Sequence, residues 1–120
     1  MFNNKSILIV EDDTSTRLII QAGCSKLGFK TLAVSSGEEA LRTLKLITPD
    51  IALIDISLPG IDGLTLADMF NPKNNTVVIL MTADKNHEVN TGKKNQKVIF
   101  KPFRTDELIN LLKQTNFSFE

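Results

Sequence analysis

A chain of 120 residues, 42% hydrophobic and 23% charged, is long enough for one core, too short for a catalytic domain beside an output domain, and of a composition that excludes disordered and fibrous classes. Fourteen basic residues balance fourteen acidic ones, so there is no electrostatic footprint for direct nucleic-acid binding or for an anionic membrane. The longest apolar run, Val77 to Met81, is far short of the roughly 20 residues of a membrane span, and Met1 to Lys5 opens no signal peptide, which predicts a cytoplasmic protein.

Five short apolar runs read as strands: Ile7 to Val10, Leu32 to Val34, Ile51 to Ile54, Val77 to Met81 and Val98 to Phe100. They are continuous rather than alternating, the pattern of parallel strands covered on both faces. Between the first two, Thr14-Ser15 starts a helix with Leu18, Ile19, Ala22 and Leu27 at helical spacing and Gly28 as its cap. Cys24, the single cysteine, falls at a spacing from Ile20 and Leu27 that fits the buried side of this helix, and it receives no functional role. The next helix opens with a capping box, Ser36 and Glu39, carries Ala40, Leu44 and Ile47, and stops before Pro49. A short third helix starts at Asp62-Gly63, uses Leu66 and Phe70, and ends by Pro72.

Residues 84–97 hold Val89 as their only large aliphatic side chain before the fifth run, together with the solvated His87, and so predict a fourth helix that is short, irregular or mobile. The last helix follows Thr105, has Asp106 and Glu107 in its first turn and Leu108, Leu111 and Leu112 on one side, and frays from Asn116 to Glu120. Strand and helix alternate five times. Right-handed crossovers then give one open, doubly wound α/β sheet with helices on both faces, in a single domain over 1–120 with its core at about 5–115.

In such a sheet the ligand sits beyond the carboxyl ends of the strands. There stand Glu11-Asp12-Asp13, Asp55, Thr82-Ala83 and Lys101-Pro102, one set after each of four runs. Two adjacent acids and a third from a neighbouring strand repel one another unless a cation lies among them, and carboxylates without His or Cys favour Mg²⁺. A lysine and a threonine hydroxyl opposite complete a phosphate cradle. Singly, Asp12-Asp13 reads as a helix N-cap, Asp55 as a strand-end acid and Lys101-Pro102 as a loop, while Leu58-Pro59-Gly60 is a turn. It is their coincidence at four strand ends that points to chemistry.

These residues resemble the receiver domain of two-component response regulators, the CheY-like superfamily, from Ser6 through the last helix. The resemblance rests on Asp12-Asp13 after Ile-Leu-Ile-Val-Glu, on Asp55 in Asp-Ile-Ser-Leu-Pro-Gly-Ile-Asp-Gly, on Thr82-Ala83 and on Lys101-Pro102-Phe103. It implies a flavodoxin-like five-stranded sheet in the order 2-1-3-4-5. It further implies that Asp55 accepts a phosphoryl group from a phosphohistidine of a sensor histidine kinase or phosphotransfer protein. Asp12, Asp13, Asp55 and the Ser57 carbonyl would hold Mg²⁺, Lys101, Thr82 and the Ala83 amide would bind the phosphate, and Ser57 and Asp84 would tune its lifetime. The bond after Lys101 is expected to be cis. The output partner is not specified, and a monomer or weak homodimer is expected.

The family's usual aromatic or histidine switch residue is replaced here by Val98, the interval from Thr82 to Lys101 is short, and Asn95-Gln96 stand where Gly-Ala is usual. Signalling through a remodelled segment from Ala83 to Gln96 is therefore the expected route. Two other functions compete. One is a docking module independent of phosphate, which the acidic residues, Thr82 and Lys101 disfavour. The other is a dedicated aspartyl phosphatase of the haloacid dehalogenase type, which lacks its Asp-x-Asp here and has no room for a cap, so the chain reads as a receiver and not a dedicated enzyme.

Overall fold

A computed structural model describes residues 2–70, 75–83 and 96–114. Within them the order is β1 (Ser6–Val10), α1 (Thr14–Lys26), β2 (Lys30–Val34), α2 (Gly37–Leu44), β3 (Ile51–Asp55), α3 (Gly63–Asp68), β4 (Val77–Thr82), β5 (Gln96–Phe100) and α4 (Thr105–Lys113). All strand pairs are parallel and the sheet order is β2-β1-β3-β4-β5. The fold is the expected flavodoxin-like one. The expectations for the segment between the fourth and fifth strands, for Asp84, His87, Val89 and Asn95, for Pro72 and for the tail after Gln114 fall outside the described residues.

Alternate residues of the central strands build two cores, because successive side chains of a strand point to opposite faces. Ile7, Ile9, Ile51, Leu53, Ile79, Met81 and Ile99 pack with Ile20 and Cys24 of α1 and Leu108 and Leu112 of α4. Leu8, Val10, Ala52, Ile54, Val78 and Leu80 pack with Ala40 of α2 and Leu66 and Ala67 of α3. Every residue of β3 and β4 is buried, as continuous apolar runs require.

β2 departs from that pattern. It is an edge strand, its Lys30 and Leu32 are exposed, and the sequence pattern of a doubly covered strand does not hold there, nor at the other edge, β5, where Ile99 alone is buried and Phe100 is exposed. The expected apolar face of α1 is also corrected: Leu18 and Ile19 are 58% and 73% exposed, and Ala22 is exposed as well. The helix rotates to bury Ile20 and Cys24, with Leu27 partly buried beside them. Its end is as expected, since Gly28 has φ +100, a left-handed conformation that glycine adopts without a Cβ clash.

Caps set the other boundaries. α1 starts at Thr14 with Asp13 as its cap, the Asp13 carboxylate accepting from the Thr16 N–H at 2.9 Å. Ser36 caps α2 by accepting from the Glu39 N–H at 3.1 Å, but the Glu39 carboxylate goes to Ser35 rather than completing the box. α2 ends at Leu44, before Ile47. α4 begins at Thr105 with Arg104 as its cap, and the Glu107 carboxylate accepts from the Arg104 N–H at 3.1 Å. Among the described residues no helix is long and apolar enough to cross a membrane.

Candidate functional site

The backbone ladder runs past the strand ends and fixes the residues there. The Glu11 N–H donates to the Val34 carbonyl at 3.1 Å, the Ile56 N–H to the Met81 carbonyl at 3.0 Å and the Lys101 N–H to the Thr82 carbonyl at 2.7 Å. Val10 lies opposite Ile54, so the next residue of each strand, Glu11 and Asp55, come side by side. Both are buried, at 1% and 5% exposure.

Glu11, Asp12 and Asp55 bring carboxylate oxygens within 4.8 Å of one another. Lys101 reaches across the sheet, its Nζ lying 2.5 Å from Glu11 Oε1 and 3.1 Å from Asp55 Oδ2. Three carboxylates against one ammonium leave excess negative charge in a partly desolvated place. Burial raises the Glu11 carboxyl above its ordinary range, even though hydrogen bonds from Lys101 and the Asp13 N–H oppose the shift. Burial pulls Lys101 down, but its bonds to Glu11 and Asp55 outweigh this and hold its pKa above the usual value. A cluster of oxygen donors only, with Asp12 open to solvent, fits a hard divalent ion such as Mg²⁺, which retains waters alongside one or two carboxylates.

Asp55 Oδ1 accepts from the Ser57 N–H at 2.9 Å. The exposed Ser57 opens the loop toward α3, and that loop is drawn tightly onto the nucleophile candidate. A Cβ on Gly63 would lie 2.2 Å from the Asp55 carbonyl oxygen, so only glycine lets α3 start there. Thr82 is buried at the end of β4, and exposed Ala83 follows it. The peptide bond between Lys101 and Pro102 is cis, as expected.

One sequence expectation is placed differently. Asp13, expected to pair with Asp12 as a metal ligand, lies outside the carboxylate cluster and spends its side chain on Thr16, whose hydrogen bonds hold its carboxyl below the ordinary range. Glu11 takes its place in the cluster. The signal was in the sequence: aligning Ile7 to Val10 with Ile51 to Ile54 sets Glu11 against Asp55. Val98, at the switch position, lies opposite Leu80, and the register partner of Thr82 is Phe100. Val98 packs into the core on the α2 and α3 side.

Residues 7–113 match the family model of the response regulator receiver domain. The regulatory protein AtoC of Escherichia coli K12 is 37% identical over 114 residues, covering 90% of this chain and 24% of its own length. A CheY-like response regulator receiver domain from Methylobacillus flagellatus superposes with a TM-score of 0.78 at 25% identity, covering 92% of this chain and 97% of that one. The receiver domain of the sensor histidine kinase PA1611 of Pseudomonas aeruginosa PAO1, which carries a magnesium ion in its active-site cleft, does so at 0.75 and 26% identity, covering 92% and 95%. The chain spans 23% to 35% of the length of the curated relatives it resembles.

Proposed function

The chain belongs to the response regulator receiver domain family of two-component signalling, and on that premise we propose that it is a single receiver domain in which Asp55 accepts a phosphoryl group from a phosphohistidine. The donor is a sensor histidine kinase or a histidine phosphotransfer protein. A carboxylate oxygen of Asp55 attacks phosphorus, the P–N bond breaks, and an acyl phosphate forms as the imidazole leaves.

Such transfer depends on positioning and electrostatics more than on covalent help. The Ser57 N–H, on Asp55 Oδ1 at 2.9 Å, orients the nucleophile. Lys101 Nζ, shared between Glu11 and Asp55, exchanges a carboxylate contact for an oxygen of the arriving group, while the Thr82 hydroxyl and Ala83 N–H donate to another. Glu11, Asp12 and Asp55, with the Ser57 carbonyl, would hold Mg²⁺, which supplies charge neutralisation at the phosphoryl oxygens. Ser57, being small and exposed, leaves water access to the product and sets its lifetime. The added charge of about −1.5 to −2 is then read by an output partner.

The observation that carries this reading is the convergence of three carboxylates within 4.8 Å with Lys101 3.1 Å from Asp55. Intact mass after incubation with acetyl phosphate tests it. A phosphoryl adduct that needs Mg²⁺ and is absent from Asp55→Asn is expected. An adduct that persists in Asp55→Asn, or none with either acetyl phosphate or a phosphorylated histidine donor, overturns the assignment.

A further inference from the structure

The first turn of α1 breaks a local rule. The positive end of a helix dipole favours acids and disfavours cations, yet that turn contains no acid and its fourth residue is Arg17. Arg17 is half-buried as a residue, and its guanidinium folds back on the chain that precedes the helix. Its Nη1 donates to the main-chain carbonyls of Glu11 at 2.9 Å and Asp12 at 3.4 Å, and its Nη2 reaches Thr14 Oγ1 at 3.4 Å. It therefore lies across the loop that supplies two of the three clustered carboxylates.

We propose that Arg17 is a positioning residue for the divalent-cation site, holding the Glu11 and Asp12 main chain so that their carboxylates converge with Asp55. The inference rests on the cation reading above. Its physical basis is the mutual repulsion of the three acids, which pushes the loop apart whenever no cation lies among them. Glu11 is restrained at its side chain, by Lys101 and by the Asp13 N–H. Asp12 is exposed, and the contact that reaches its main chain from a side chain among the described residues is that of Arg17. A planar fork with several donors can span successive carbonyls, whereas an ammonium acts as one point.

The sign of the effect separates positioning from charge. Arg17 is a cation beside a cation site, so by Coulomb's law alone its removal tightens Mg²⁺ binding. Positioning predicts the reverse. Residues behind metal ligands typically contribute 10–100-fold in affinity, and at a partly exposed site the lower end applies. Calorimetric Mg²⁺ titration of the metal-free protein should show about 10-fold weaker binding in Arg17→Ala. Arg17→Lys should restore this only in part, and Arg42→Ala, which removes an exposed arginine elsewhere, should bind as the parent does. Arg17→Gln carries the same comparison should Arg17→Ala lower the melting temperature.

Amide exchange provides a readout independent of the metal. In metal-free protein, exchange at residues 12–14 should quicken in Arg17→Ala while that of β3 is unchanged. Equal or tighter Mg²⁺ binding in Arg17→Ala, or full restoration by lysine, overturns the proposal, as does unchanged exchange at residues 12–14. If the parent itself takes up no Mg²⁺, the cation reading of the site fails, and the exchange rates still decide whether Arg17 holds the loop.

Discussion

β3 contains both regimes of this molecule within five residues. Ile51 to Ile54 and Asp55 are all buried, but the first four face hydrocarbon and the fifth faces Lys101, Glu11 and Asp12. In the interior, burial itself is the stabilising term, at roughly 25 cal/mol per Å² of apolar surface. At the strand end, burial is a cost held in check by one ammonium and a few N–H donors. The core can thus be judged by volume alone, whereas the site can be judged only with its charge.

Truncation and charge removal should separate the two. Leu53→Ala opens a cavity under β3 and should cost about 2–5 kcal/mol in urea unfolding, with Mg²⁺ present or absent. Lys101→Met leaves Glu11 and Asp55 without their ammonium and should cost about 1–3 kcal/mol in metal-free protein, a loss that Mg²⁺ largely restores. If Mg²⁺ rescues both or neither, the division between core and site does not hold.

A finer comparison lies within the acidic run itself. Asp12→Ala should abolish measurable Mg²⁺ binding in calorimetry, while Asp13→Ala should lower the melting temperature by a few degrees through loss of the α1 cap and leave the affinity nearly unchanged. Equal losses of affinity would return Asp13 to the ligand set.

The smallest effect at neutral pH concerns Cys24, whose thiol burial pushes up to about 12. The folded protein keeps the proton that the unfolded chain releases near about pH 8.5. The contribution of this thiol is therefore complete below that pH and declines as pH rises toward the folded value. Cys24→Ala should flatten that part of the alkaline limb in unfolding curves. Iodoacetamide at pH 8 should label Cys24 in urea and not in the native protein.

Much of the fold was legible in residue order. Three of the five apolar runs became strands buried as their continuity implied, and Ser36, Gly28 and Asp62 placed helix boundaries by their side chains or their lack of one. Where legibility failed, competition between near-equal local choices was the cause. Leu18 and Ile19 are as apolar as Ile20, and helical spacing permits a face through either set. In the folded chain it is Ile20 and Cys24 that pack on the sheet. β2 and β5 were misjudged for a similar reason, since a short apolar run does not reveal that its strand lies at an edge.

The same division applies to the site. Sequence alone determined that acids, a threonine and a lysine stand after the strands, because strand ends are written in the change from apolar to polar residues. It also set Asp55 at the end of β3, while the burial of that acid is a property of the folded sheet. Tertiary structure decided which acids share a space: parallel register sets Glu11 beside Asp55, and the cap of α1 turns Asp13 away. Adjacent residues in a chain can be assigned opposite tasks, one as a helix cap and one at a charged cluster. Direction depends on backbone dihedrals and on neighbours such as Lys101 and Thr16, and these are fixed only when the strands pair and the helix docks.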